Sequence, residues 1–467
     1  MKLDHRSLLC LALVLALGSG CTIAPPDRGF ADGVVAAGVS EPIQFVGTVM
    51  PADANEDAVK TLTIADAVRR ALKNDPAVQA AIAEVRAALA DARQTRLIPN
   101  PVLSVAVRLP EGGGKPVIEA GLAADLVSLL LRPRQISAAD HRLRAASSDA
   151  LTVVLDALAD VQEQYANAQA LDARIGVLDQ RKKLVQRLRD LARARLEAGE
   201  SSRLDLITFD TERVSLDVEI TQAASERREQ RLMLARLIGQ PSGVIEWELM
   251  PWTAPTPVAL NETQWVRAAL EHRPEVQSRR WELAALGDEV ALAKLAVFDG
   301  ADVGVEAERD RDWSIGPAIF TPLPLFDWGQ QRRAKAEAQR AAARHRLTQT
   351  RRQIIEEVRR AVESLTASQA VLRQVQTQLI PLADEGVQQA EAAYKNGLAD
   401  VTAVLLAEQE AQSARLKLIE LQQSVSSASY RLHRAVGGPG IAAAVPATQS
   451  TGPTTTTRTA SQSTEHP

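Results

Sequence analysis

Strict two-residue alternation of apolar and polar positions is confined to short stretches of this chain. In VLSVAVRL (102–109), Leu103, Val105, Val107 and Leu109 share one face, and Ser104, Ala106 and Arg108 share the other. That is the period of a half-buried strand. Val303, Val305 and Ala307 likewise alternate with Asp302, Gly304, Glu306 and Glu308. Turn-rich segments, PEGGGK (110–115) and RDRD (309–312), follow and lead to partner strands expected over about 117–125 and 313–321. The parity of those partners is left open. The rest of the ordered pattern is helical. Ala and Leu recur at helical spacing over 64–96 and 262–297, and the longest such stretches cover about 134–198 and 330–396. Second long helices are expected over about 203–238 and 400–436. Leu178, Leu184, Leu188 and Leu191 mark a narrow coiled-coil-like face, with Arg, Lys, Gln and Asp between them. Gly199 and Gly397 close the long stretches as left-handed caps at two hairpin tips.

One shift relates the two halves. VRRALKNDPAVQ (68–79) compares with VRAALEHRPEVQ (266–277), 198 residues later. The same shift pairs Val105 with Val303, Arg134 with Arg332, Gly199 with Gly397, Glu212 with Glu410 and Gly239 with Gly437. Chance matches would need different shifts, so the chain reads as a tandem duplication. The expected units are 62–241 and 262–439, joined by a linker over 242–261.

Composition narrows the class. The chain has 467 residues and a formal charge of −4, which excludes a basic nucleic-acid footprint. Hydrophobic residues make up 46% and aromatics only 3%, a mix for long helices packed side to side and not for a thick core. Cys10 and Cys21 are the two cysteines, which excludes a disulfide framework and a cysteine zinc cluster. Residues 1–20 read as a secretory signal: Lys2 and Arg6, an apolar run from Leu8 to Leu17, then Gly18, Ser19 and Gly20 before Cys21. A cysteine at that place resembles a bacterial lipobox, although Gly18 stands where Leu is usual. The resemblance implies that Cys21 becomes a lipidated first residue and, with Thr22 after it, that the destination is the outer membrane. Residues 21–61 read as an extended lipid-anchored arm, and 440–467 as a low-complexity disordered tail.

No later segment offers 18 uncharged apolar residues, so a membrane-spanning part must be built of strands. Four strands cannot close a barrel, and open edges are not viable in lipid. Several copies must therefore share one barrel, and cyclic symmetry is the usual solution. Three copies would supply twelve strands above a hollow tube of twelve long helices. The pattern alone leaves the number open.

The chain resembles the outer membrane efflux protein family, also called the TolC family. The residues that carry the resemblance are LTIADAVRRALKNDP (62–76), LIPNP (97–101), PLPLFDWGQQRRA (322–334), LIPLADEGVQQAEAAYKNG (379–397) and the two tips. The resemblance implies a mainly α fold with a small β part: tandem long-helix hairpins forming an α-helical tunnel, four strands per protomer entering a shared trimeric barrel. It implies a homotrimer in outer-membrane lipid, docked to a periplasmic adaptor protein and an inner-membrane pump, with the 242–261 region on the tunnel's outer waist. It also implies a periplasmic aperture narrowed by polar residues at the tips. Asp205 matches the family's first-tip aspartate, whereas Ala403 and Leu406 stand at second-tip positions where acidic residues are expected. Asp205, Arg203 and Asp400 are the aperture candidates, and Ser104, Arg108, Asp302, Glu306 and Glu308 are the candidates for lumen-facing strand positions.

Catalytic signals are weak. The six histidines show no ligand spacing, and GGGK (112–115) is followed by Pro116 and not by the Ser or Thr of a phosphate loop. Trp313, Phe320, Phe326 and Trp328 are expected together where strand meets helix. The reading is a passive exit duct without cofactor or metal, its cargo not legible. The alternative is a periplasmic coiled-coil adaptor or spacer, which would need neither the strand pairs nor the duplication.

Overall fold

A computed structural model of the chain describes residues 28–36, 38, 60–109, 116–199, 202–241, 245, 247–255, 260–309 and 312–445. The signal segment 1–20, Cys21 and residues 446–467 lie outside the described residues.

The arm holds a helix, α1 (Arg28–Ala36), where the sequence reads as extended. Phe30 and Val34, one turn apart, pack on Leu151, Val154 and Leu155. The stretch is too short to show a sustained period, and the tertiary contact supplies its stability. A two-residue strand, β1 (Thr61–Leu62), leads into α2 (Ile64–Asn74) and α3 (Pro76–Thr95). The expected single stretch over 64–96 is broken at Asp75, which takes an extended conformation and caps α3 by accepting from the Ala77 and Val78 amides. Pro76 fills the first helical position, where no backbone donor is needed.

Strands β2 (Val102–Arg108) and β3 (Val117–Asp125) follow, then α4 (Leu126–Glu197). At 72 residues α4 is about 108 Å long. It begins eight residues earlier than Pro133 suggests. Asp125 caps it through the Ser128 amide at 2.9 Å, and the helix runs on through Pro133, forgoing one backbone bond. After the first tip comes α5 (Arg203–Leu237).

The second half repeats this order. β4 (Glu248–Leu249) pairs in parallel with β1. α6 (Glu262–His272) and α7 (Pro274–Leu295) break at Arg273–Pro274, and β5 (Asp302–Arg309) and β6 (Trp313–Phe320) form the second hairpin. The second long stretch is α8 (Gln330–Gln374), a wider turn over Val375–Leu379, and α9 (Ile380–Lys395). The wide turn bonds the Ile380 amide to the Val375 carbonyl and stands just before Pro381, which has no amide hydrogen to give. α10 (Val401–Val436) ends at Gly437. A short helix, α11 (Pro439–Ala444), occupies the start of the segment expected to be a disordered tail.

The helices form one layer. The strand-end half of α4 lies between α3 and α7, as Arg96–Asp140 and Arg134–Asp288 show, and its tip-end half lies between α5 and α10, as Arg174–Glu226 and Gln423–Asn167 show. α8 flanks α7 and α10 on the far side. A belt of α2, α6, β1 and β4 covers one face of the layer at mid-height. There Leu62, Tyr165, Leu234, Ile238 and Trp247 are buried together, and the Tyr165 hydroxyl donates to the Leu62 carbonyl at 2.8 Å. At the strand end stands a four-stranded antiparallel sheet in the order β2-β3-β5-β6. No helix among the described residues is long and apolar enough to cross a membrane.

Candidate functional site

The sheet separates two chemistries. Residues directly opposite in an antiparallel pair share a face, so the register assigns every side. Ser104 faces Gly121, which faces Glu306, which faces Gly316; Ala106, Glu119, Glu308 and Ser314 form the next row. Arg108 lies on this face and its guanidinium meets Glu119 at 2.9 Å. Asp302 lies on it too, in line with Asp125. The five strand residues expected to face one way therefore do so, and Glu119 joins them. The opposite face carries Leu103, Val105, Val107, Ile118, Leu122, Val303, Val305, Ile315 and Ile319. Leu103 is 69% exposed and Val105 63%, so this face is a contiguous exposed apolar patch of the kind that marks a membrane or partner surface.

The partner-strand parity left open by the sequence is now decided. Val107 pairs with Ile118, and Val305 pairs with Pro317, so the shift relating β3 to β6 is 199 and not 198. Glu119 thus corresponds to Ala318 and Pro317 to Ile118. One residue more or less in a turn inverts the face of everything after it. Two glycines keep the polar face close-packed: a Cβ at Gly304 would stand 2.3 Å from the Leu122 carbonyl oxygen, and one at Gly121 would stand 2.6 Å from the Ser104 hydroxyl.

Trp313 does not join the other aromatics. It opens β6 at the hairpin end of the sheet, where Arg309 lies over its ring at 5.8 Å. Phe320, Phe326 and Trp328 are at the opposite, helix end, and Phe326 is 94% exposed.

At the far end, Gly199 (φ 79°) and Gly397 (φ 71°) turn the two tips. The structure places all three aperture candidates at the N-termini of the returning helices. Asp205 sits in the first turn of α5 and accepts from the Ser202 hydroxyl at 2.9 Å, while the Ser202 hydroxyl oxygen caps the Asp205 amide. Asp400 caps α10 through the Val401 amide at 2.6 Å and accepts from the Thr402 hydroxyl at 2.9 Å. Arg203 is the exposed first residue of α5. No ion pair joins these three within the protomer among the described residues.

Of the face expected on α4, Leu178 and Leu188 are buried and Leu184 packs beside them, whereas Leu191 is 37% exposed; sequence reasoning missed the partners on the other helices that hold the tips together. Phe209, Leu178, Val185, Leu216, Tyr394, Val401 and Val404 share one buried cluster. Arg195 of α4 lies over the Tyr394 ring at 4.7 Å, which fastens one tip to the other. Arg189 meets Asp210 at 2.5 Å, and its hydrogen bond holds that carboxyl below the usual range. Glu408, on α10, is only 4% exposed. Burial raises its carboxyl, against the pull of Arg415. Its one sequence signal was position: it falls in step with Val401, Val404 and Ala411 on the inward stripe.

Known proteins carry the same architecture. A chain from Pseudomonas putida, the pyoverdine export outer membrane protein OpmQ, is 25% identical over 480 residues, covering 93% of this chain and 97% of that one. The cobalt-zinc-cadmium resistance protein CzcC of Cupriavidus metallidurans is 23% identical, with 84% and 94% covered. The crystal structure of the outer membrane protein VceC from Vibrio cholerae superposes with a TM-score of 0.65 at 22% identity, covering 80% of this chain and 96% of that one. The pattern of the outer membrane efflux proteins matches residues 67–240 and again 265–438. With both halves matched and a sheet that is apolar on one side and polar on the other, the chain belongs to the outer membrane efflux protein family and is an outer-membrane efflux channel that extends into the periplasm.

Proposed function

We propose that three copies of this chain close into one duct, with a twelve-stranded barrel in the outer membrane and a helical tunnel below it. In this reading the duct passively carries substrate delivered by a periplasmic adaptor and an inner-membrane pump. The observation that carries it is the pair of free edges: among the described residues β2 and β6 each have one strand neighbour, and the apolar face between them is exposed. β2 and β6 run antiparallel to one another, so β6 of one copy can continue into β2 of the next without changing the pattern. Closure removes every edge, the condition for strands in lipid. Below the sheet, α3 and α5 bound one side of the helical layer and α8 and α9 the other, so in this reading the two sides meet between neighbouring copies.

The two structural units, 62–241 and 262–439, supply equivalent hairpins to that wall. Cys21 carries the lipid anchor in this proposal, and Asp205, Arg203 and Asp400 line the periplasmic aperture. Symmetry would bring three copies of each carboxylate to one axis, where like charges repel and cations gather. The test is membrane fractionation followed by gel electrophoresis without heating. A heat-dissociable trimer in the outer-membrane fraction is expected, and a soluble monomer would end the proposal. For the aperture, Asp205→Ala is expected to raise conductance in a planar bilayer; unchanged conductance and unchanged cation preference would take Asp205 out of it.

A further inference from the structure

Outer and inner faces of the helical layer can be told apart by angle. On α4, Tyr165 and Gln169 bond to the belt, at the Leu62 and Met250 carbonyls, and Asp172 pairs with Arg231, which lies over Trp247. Asn167, Arg174 and Arg181 lie about half a turn round from these at 100° per residue. They floor a trench of about 760 Å³ whose walls are α5 and α10, on the face opposite the belt. With the belt outside, this face looks into the tunnel.

We propose that this trench is a weak binding site for short, extended zwitterionic peptides in transit, an inference that rests on the duct reading. From Asn167 to Arg181 the floor is about 21 Å long, the span of five or six extended residues. Two of its polar atoms have no hydrogen-bond partner. Arg181, 9% exposed, uses its terminal nitrogen on Glu212 at 2.6 Å but leaves its Nε–H unpaired. Gln230 leaves its buried Oε1 unpaired. An unpaired buried donor and acceptor each cost free energy until a ligand satisfies them.

The two orphans differ in sign and stand apart. The antiparallel pairings Arg181–Glu212 and Arg174–Glu226 put Gln230, one turn beyond Glu226, at the belt end of the trench and Arg181 at the tip end. The belt end also carries Glu226 and Glu229, and Gln412, 5% exposed, lines the trench from α10. A peptide lying along it presents its carboxylate to Arg181 and its ammonium to Gln230 and the glutamates, with its amides toward the lining amide side chains. The other two cations of the lining are already paired, Arg174 with Glu226 and Lys417 with Glu420, so affinity stays low, as a conduit requires for release.

The purified full chain in a planar bilayer tests this. The probe is the pentapeptide Ser-Gly-Ser-Gly-Ser with free ends, compared with its N-acetylated, C-amidated form. Half-block of the current is expected at about 1–10 mM for the free peptide, and only at several-fold higher concentration for the capped one. Gln230→Leu and Arg181→Gln should each weaken block by at least about fivefold, and Gln230→Leu serves alone if Arg181→Gln does not assemble. A conducting channel that shows no block at about 50 mM, or is blocked equally by both peptides, or is blocked unchanged in the Gln230→Leu variant, overturns the trench while leaving the duct intact. A protein that conducts no current removes the duct reading and the trench with it.

Discussion

Arg108 and Glu119 meet at 2.9 Å across β2 and β3, on the face where Glu119 also stands opposite Glu308. The ion pair marks the polar side of the sheet, and the side behind it is apolar except for Arg309 at the hairpin end.

Charge placement on the two faces should therefore have opposite consequences. Val105→Lys, on the apolar face, is expected to lose about 2–4 kcal/mol if it falls near the bilayer midplane. Ala106→Lys, one residue away on the polar face, should cost well under about 1 kcal/mol. Urea titration of the heat-modifiable band separates them. Equal losses would reject the face assignment.

Arg434 joins two acids, Glu275 at 2.8 Å and Asp156. Burial opposes ionisation of Glu275, but Arg434 and Arg273 outweigh it and hold the carboxyl below its ordinary range. A depressed carboxyl contributes stability that is complete above its unfolded value and fades as pH falls through the folded one. Arg434→Met should cost about 1–2 kcal/mol at pH 7, because Glu275 keeps Arg273 and Asp156 is half exposed, and the cost should fade as pH falls through the lowered folded value of Glu275. A loss that does not depend on pH would show that packing, not charge, is what Arg434 supplies.

Glu408 predicts the opposite slope. Its carboxyl is raised by burial, so the ionised form is a liability that protonation relieves as pH falls through the raised folded value toward the ordinary carboxylate range. Glu408→Gln should raise the melting temperature at pH 7–8, and the gain should shrink steadily toward pH ~4.5. Thermal melts at matched salt decide it; a Gln variant less stable at every pH would mean that Glu408 is needed as an ion beside Arg415 and Arg181.

The glycines at helix ends are not equivalent. Gly199 has φ 79° with open space around its Cβ position, so Gly199→Ala should cost about 1 kcal/mol, the left-handed penalty alone. Gly239 has φ 82° and a Cβ there would stand 2.4 Å from Asn74 Cβ. Gly239→Ala should cost at least about twice as much. Matching melting temperatures for the two variants would contradict the clash.

Much of this protein was legible in one dimension because its signals are periodic. Two-residue alternation named β2 and β5, helical spacing named the long helices, and the 198-residue shift tied the halves together, since each depends on local backbone geometry repeated many times. Contacts over long separations decided the rest. Val34 holds α1 against α4, and β1 finds β4 nearly 190 residues away. Asp125 starts α4 ahead of Pro133, which a proline rule alone would forbid. The face of Glu119 hung on a single residue in a turn, because side chains alternate at every step and only the hydrogen-bonded register counts the steps. The buried places of Glu408 and Arg181 likewise arise where three helices converge, a geometry that no single helix's periodicity encodes.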